Sequence, residues 1–356
     1  MTGMATSIEV SASRNGLRVA YHRADPGRIL VGATPQDALR LVPSLLPVCG
    51  EAQRIAAARA LESAQGVPAS AAVERERELR LLREQGLAAA WRLLVDWPRA
   101  AGRSTRLATV KTLRRADDVS LGRGLLSLLP DSLAVPASGP LLLARVIEEA
   151  TWGESCIGTS LLRRALHQGS AAAAAPLAIH TPSSLFAQAR DYFASERCDP
   201  ATLALAGNPL PLTVGPLAMA RHPAVAAVRE RGDLASPVKL LLAALIDTAA
   251  VATALAGDAP LPALTPEMAE AAEPGFGHSV TARGPLLHKI SLDNEGRIAQ
   301  WRHLAPTDWH FAPGGLVERL GVAVTSQDAA DLLIAAADPC APCAVVSEGD
   351  PLSEAA

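Results

Sequence analysis

Apolar residues along this chain recur mainly at helical spacing, and proline and glycine cut the pattern into segments. The first 45 residues are the exception. They read as short strand-like or irregular pieces, 7–11, 17–21 and 28–31, separated by Gly16, Pro26, Gly27 and Gly32. Over 51–65, Ile55, Ala58 and Leu61 share one helical face, and Gly66 and Pro68 stop the run. A longer helix is predicted over 71–96, with a charged first half, 74–80, expected to be a solvated face. Its second half places Leu87, Trp91, Leu94 and Val95 on one side, and Pro98 is expected to end it. Further helices are predicted over 122–129, 140–168, 183–195 and 216–231, and the alanine run 171–175 reads as a loop or a weak helix start.

The most apolar stretch, 240–256, is short for a membrane span and carries Asp247 near its centre, so it is expected to be a core helix. Residues 257–274, rich in proline, alanine and acid, read as a surface loop. Beyond them the period changes. Segments 285–291 and 297–304 alternate around Asp293-Asn294-Glu295-Gly296, which predicts a β-hairpin. Ser326 is placed to cap a final helix over 327–337, and Asp338-Pro339 closes it.

Composition narrows this picture. The 356 residues are 49% hydrophobic but only 3% aromatic, so the core must be built from Ala, Leu and Val, which favours a mainly α fold. A formal net charge of -3 argues against nucleic acid as a partner. Five scattered cysteines (Cys49, Cys156, Cys198, Cys340, Cys343) do not make a disulfide framework. The N-terminal residues show no export signal, and the expected location is the cytoplasm.

Three local features could carry chemistry. Cys340-Ala341-Pro342-Cys343, directly after a helix, could chelate a soft metal or cycle as a dithiol, or be two incidental thiols. Arg283-Gly284-Pro285 holds a guanidinium on a turn, suited to an anion or to a surface ion pair. Ala305-Pro306-Thr307-Asp308-Trp309 brings a hydroxyl beside an aromatic, or is a plain turn with an anchoring tryptophan.

In order, Arg283-Gly284-Pro285-Leu286-Leu287-His288, Asn294-Glu295-Gly296-Arg297-Ile298, the 305–313 segment and Asp338-Pro339-Cys340-Ala341-Pro342-Cys343 resemble the C-terminal signature of [NiFe] hydrogenase large subunits. Pro47-Val48-Cys49-Gly50-Glu51-Ala52 resembles that family's first cysteine motif, so both ends of the chain are anchored and the middle is expected to be shortened. The resemblance implies one domain over 1–356: a large-subunit-like helical core over 51–256, an irregular start and a small hairpin near the C-terminus.

The departures matter as much as the matches. In the family, two Cys-x-x-Cys pairs hold nickel and an iron carrying CO and cyanides. Cys49, Cys340 and Cys343 occupy three of those places, and Ala52, which has no donor atom, stands in the fourth. Pro47, Ala56 and Val346 replace the family's arginine, histidine and C-terminal processing histidine, and no R-G-x-E stretch precedes them. By resemblance Arg283, paired with Asp338, leans over the iron, Thr307 reads a cyanide, and Cys343, with Cys340 and Cys49, supplies thiolate.

The whole is similar to the HupK/HoxV group of hydrogenase accessory proteins. That likeness implies no catalysis, transient custody of Fe(CN)2CO, no nickel, and HypC/HypD-type maturation proteins and the hydrogenase large subunit as partners. A degenerate large subunit, a zinc or thiol-redox protein, and a metal-free chaperone mimic are the competing readings.

Overall fold

The structure is a computed structural model that describes residues 6–13, 15–134, 139–152, 157–167, 177–179, 182–195, 198–201, 203, 210–260, 273–324 and 326–347. Cys156, the alanine run 171–175, most of the expected loop 257–274 and the tail beyond Ser347 lie outside these residues.

The N-terminal alternation forms an antiparallel hairpin, β1 (Ser7–Ser13) with β2 (Gly16–His22). The expected third piece, 28–31, is instead a helical turn, Gly27–Leu30. Asp25 Oδ1 accepts the Gly27 N–H at 3.0 Å, and a Cβ at Gly27 would stand 2.6 Å from the Trp301 carbonyl oxygen. Close approach to a neighbouring strand, invisible to local periodicity, decides this segment.

Helices α1 (Pro35–Leu45), α2 (Gly50–Gln65) and α3 (Ala71–Trp91) follow. The 74–80 charge run is not simply a solvated face. Arg77 is buried and pairs with Glu62 of α2 and with Glu74, which also binds Arg59 of α2. Nor does Pro98 end the helix: α3 passes through a π-helical turn, Arg92–Asp96, into Trp97–Ala100, and the Leu94 carbonyl that the proline cannot serve accepts from Arg106 N–H at 2.8 Å.

The expected helix over 140–168 is seen as Gly139–Trp152 and Ser160–His167, with 153–156 outside the described residues. That over 216–231 is split into Pro216–Met219 and Pro223–Glu230 by Ala220, which is left-handed at φ 46°, and by Pro223. Two short strands, β3 (Ala178–Ile179) and β4 (Leu212–Thr213), pair in parallel.

The Leu/Ala/Val core gathers α4 (Asp118–Leu126), the middle of α3 and α5 (Ser236–Ala256). Helix α5 is long and apolar enough to cross a membrane, but most of it is buried inside the protein. Its Asp247 is answered by Arg221, whose Nε and NH2 reach the two carboxylate oxygens at 2.9 and 2.6 Å. The NH1 of Arg221 donates to Gln85 Oε1 at 2.7 Å.

The expected hairpin belongs to a three-stranded antiparallel sheet, β5 (Phe276–Thr281), β6 (Gly284–Leu292) and β7 (Ile298–Leu304). Strand β5 is buried on both faces, so it lacks the alternation that exposes a strand to sequence reading. The sheet feeds α6 (Pro306–Phe311), all of whose residues are buried, and later α7 (Gln327–Ala337), capped by Ser326 Oγ accepting from Ala329 N–H. After α7 the chain adds a strand that sequence reading missed. This strand, β8 (Cys343–Ser347), lies parallel to β1 with Cys343 opposite Ile8. The two ends of the chain thereby meet beside the C-terminal cysteines.

Candidate functional site

Each chemistry-bearing residue stands where an element starts or stops. Cys49 ends a short 3-10 turn before α2, and Ala52 lies in the first turn of that helix. Arg283 occupies the tight turn between β5 and β6. Its N–H donates to Thr281 Oγ1, whose hydroxyl donates to Gly284 O, both at 3.0 Å. Gly284 is required there: its φ is 134°, and a Cβ would press on the Val214 carbonyl oxygen at 2.4 Å. Thr307 opens α6, and Asp338 ends α7 in the left-handed region at φ 50°.

Asp338 is gripped by two buried guanidiniums. Arg92 approaches Oδ2 with Nε at 3.0 Å and NH2 at 2.6 Å, and its NH2 also donates to Ala282 O at 3.2 Å. Arg283 reaches Oδ1 with NH2 at 3.2 Å and donates Nε to the Asp338 carbonyl oxygen at 3.1 Å. Burial pushes the Asp338 carboxyl upward, but Arg283 and Arg92 outweigh it and hold the group below its ordinary value. It is therefore an anion at neutral pH.

The thiols divide around Arg283. Its NH1 lies 3.8 Å from Cys49 Sγ, both side chains being buried. Cys340 is tied to Thr307: its N–H donates to Thr307 Oγ1 at 3.1 Å, and Oγ1 and Sγ share a second contact at 2.8 Å. Burial pushes Cys49 up to about 12, against the pull of Arg283. Burial likewise raises Cys340, opposed by Arg283 and by the Thr307 hydrogen bond. Cys343, half-buried at the start of β8, is pushed up to about 12 by burial and by Asp331. All three are protonated at neutral pH, so a thiophilic metal binding here would displace protons. Among the described residues, no three His, Cys, Asp or Glu side chains converge as a ready-made metal cage.

At Ala52 the backbone takes over. Glu84, from α3, accepts the Glu51 and Ala52 N–H groups at 2.8 and 2.9 Å, which satisfies the start of α2. Burial raises the Glu84 carboxyl above its ordinary value in spite of those two donors. Ala52 O accepts from Ser279 Oγ at 2.9 Å, so the position is locked between helix and sheet.

The surroundings are stitched by buried polar groups. Asp308 accepts from Tyr21 Oη at 2.8 Å, Arg23 Nε at 2.7 Å and Ala305 N at 2.7 Å. His310 accepts the Val214 N–H on Nε2 at 3.2 Å and donates Nδ1–H to Ala337 O at 3.1 Å, which fixes its neutral tautomer. His288 Nε2 meets Gln53 Oε1 at 2.7 Å. Behind Asp338 lies a cavity of about 20 Å³, room for one water, lined by Arg92, Arg283, His310, Trp97 and Thr213. Among the described residues, Trp97 Nε1 and Thr213 Oγ1 have no hydrogen-bond partner.

No family model matches the chain. Among characterised proteins, the hydrogenase expression/formation protein HupK of Azotobacter vinelandii is 33% identical over 337 residues, covering 88% of each chain. HupV of Azotobacter chroococcum, described in the same words, is 32% identical over 340 residues, covering 89% of each. The chain belongs to the HupK/HupV family of hydrogenase expression/formation proteins.

Solved structures carry the fold further. The Ni-Fe-Se hydrogenase of Desulfovibrio vulgaris Hildenborough superposes with a TM-score of 0.54 over 92% of this chain and 94% of its own, at 14% identity. That of Dm. baculatum gives 0.55 over 92% and 94%, at 15% identity. The fold is that of the hydrogenase large subunit, mainly α with small sheets.

In this HupK-family chain, the residues singled out from sequence fall into one neighbourhood and one margin. Cys49, Arg283 and Asp338 are linked by direct contacts, and Cys340 with its Thr307 partner follows Asp338 by two residues and feels the Arg283 charge. Cys343 stands at the edge, on β8. Arg92 and Glu84 were missed. Arg92 had left a signal, a lone charge inside the apolar run 87–95, which demands a buried partner. Glu84 left none, because its partners are backbone amides 32 and 33 residues away.

Proposed function

We propose that this chain is an accessory protein of hydrogenase formation and not itself a catalyst. In this reading it transiently holds the Fe(CN)2CO unit and passes it to the hydrogenase large subunit, in the cytoplasm, with HypC/HypD-type proteins upstream. The observation that carries the reading is the combination of retained thiols and donors with the alanine at position 52. Cys49, Cys340 and Cys343 supply soft ligands, Arg283 is a buried cationic donor, and Thr307 supplies a hydroxyl, while Ala52 offers no atom to a fourth metal contact.

The iron unit is cargo. Cyanide on iron is an anionic acceptor, and Arg283 NH1, which among the described residues makes just the long contact to Cys49, is the donor best placed for it. Thr307 is engaged with Cys340; once that sulfur is a thiolate, the single hydroxyl proton goes to it, so Thr307 serves the cargo through the cysteine. A site with fewer thiolates than a nickel-iron cage suits release as well as capture, and the chain has no second full pair with which to retain nickel.

Infrared spectroscopy tests this, because CO and cyanide on iron absorb where protein does not. Protein purified from cells with the maturation machinery intact should show CO and cyanide bands. Alanine at Cys49, Cys340 or Cys343 should remove or weaken them, and Thr307→Val should shift them. Absence of bands in the unaltered protein contradicts the carrier role. Unchanged bands in one cysteine variant exclude that cysteine.

A further inference from the structure

Elements that deliver the site residues meet again behind Asp338. The turn Trp97–Ala100, which follows the one carrying Arg92, brings Trp97; β4 brings Thr213; and the last turn of α7 brings Ala335 and Ala336. All four residues line the cavity of about 20 Å³, together with Leu240 and Ala244 of α5.

The polar atoms around this cavity lack the partners that their own elements would supply. Trp97 and Thr213 are 1% and 0% exposed, and among the described residues neither the Trp97 indole N–H nor the Thr213 hydroxyl has a hydrogen-bond partner. The acceptors come from the way α7 ends. Continuation of the helix would give the Ala335 carbonyl the amide of residue 339, but Pro339 has none. It would give the Ala336 carbonyl the amide of Cys340, which instead donates to Thr307 Oγ1 at 3.1 Å. Nor do the neighbours help: the Asp338 N–H closes the helix on Ile334 O at 3.0 Å, and His310 Nδ1–H goes to Ala337 O at 3.1 Å. Two donors and two acceptors are thus gathered around one small space.

That set selects the ligand. A buried water takes roughly 10–15 Å³ of such space and two to four polar partners. An anion would have to sit against the Asp338 carboxylate and two carbonyl oxygens, and a cation against the indole N–H and the Arg92 and Arg283 guanidiniums, all of which line the cavity. A water answers both kinds of partner. We propose that this cavity is the binding site of one ordered water, which accepts from the Trp97 indole and the Thr213 hydroxyl and donates to the Ala335 and Ala336 carbonyl oxygens. It joins three elements at the point where α7 turns through Asp338 towards Cys340, whatever cargo the cysteines hold.

The indole N–H groups of the five tryptophans report on it. In the full-length, metal-free protein labelled with nitrogen-15 at tryptophan, and with signals assigned by single Trp→Phe variants, the Trp97 indole should show an Overhauser cross-peak to water with the sign of a long-lived contact. Trp301 and Trp309 are the controls: their indole nitrogens are also buried and unpartnered among the described residues, but neither lines this cavity, and neither should show a cross-peak. Thr213→Val, which keeps the shape and removes one donor, should weaken the Trp97 cross-peak about fivefold, the effect of one lost hydrogen bond. A Trp97 indole without a water cross-peak in the unaltered protein overturns the proposal. So do equal cross-peaks at all three buried indoles, which would mean general water penetration, and so does an unchanged cross-peak in folded Thr213→Val protein.

Discussion

Two buried arginine–carboxylate assemblies in this chain obey different arithmetic. In the core, Arg221 and Asp247 form a fork with one cation and one anion, and Gln85 takes the remaining guanidinium donor. At the site, Asp338 faces two cations, Arg92 and Arg283. The first is closed: its charge balances, and each guanidinium nitrogen has a hydrogen-bond partner. The second is shared: one carboxylate is held by two guanidiniums, and one of these also turns NH1 to Cys49 Sγ at 3.8 Å. A buried charge left without its partner is costly, so each assembly should be sensitive to the loss of one member.

The largest effect should come from unbalancing the closed pair. Arg221→Met leaves the Asp247 carboxylate buried inside α5 without its fork, and should cost about 3–5 kcal/mol in denaturant unfolding. Any CO and cyanide bands of the folded fraction should not move. A shift of those bands would mean that the core pair and the site are coupled, and the contrast between them would fail.

A smaller effect separates the two regions by pH. His310, beside the Asp338 cluster, is pushed down to about 4 by burial, and its two backbone partners fit only the neutral ring. Its folded value lies below the ordinary histidine value near 6.5, so the unfolded chain binds the proton more readily. The resulting stability is complete above about pH 6.5 and is lost as pH falls towards 4. Between pH 6.5 and 5, this histidine should account for roughly 2 kcal/mol of lost stability. His310→Gln should flatten that part of the curve; an unchanged slope would show that the ring is not held neutral.

Much of this was legible in the sequence where the signal is local. The hairpin around Gly296, the Ser326 cap, the α5 core helix and the ends of α2 follow from periodicity and turn chemistry. Strand β5 and the Gly27–Leu30 turn did not, because the one is buried on both faces and the other is set by contact with Trp301. The same division holds at the site. Cys49, Arg283, Thr307, Asp338, Cys340 and Cys343 carry motifs that can be read along the chain. Arg92 reaches Asp338 across 246 residues, and Glu84 reaches amides in another helix, so neither spacing is written locally.

The carrier role can be tested most directly by transfer. Protein isolated with its iron unit labelled in the cyanide carbon would be mixed with an iron-free hydrogenase large subunit and the two separated again. The expected result is that the isotope-shifted cyanide bands leave this chain and appear in the large subunit. Bands that stay with this chain, with none gained by the large subunit, would contradict it.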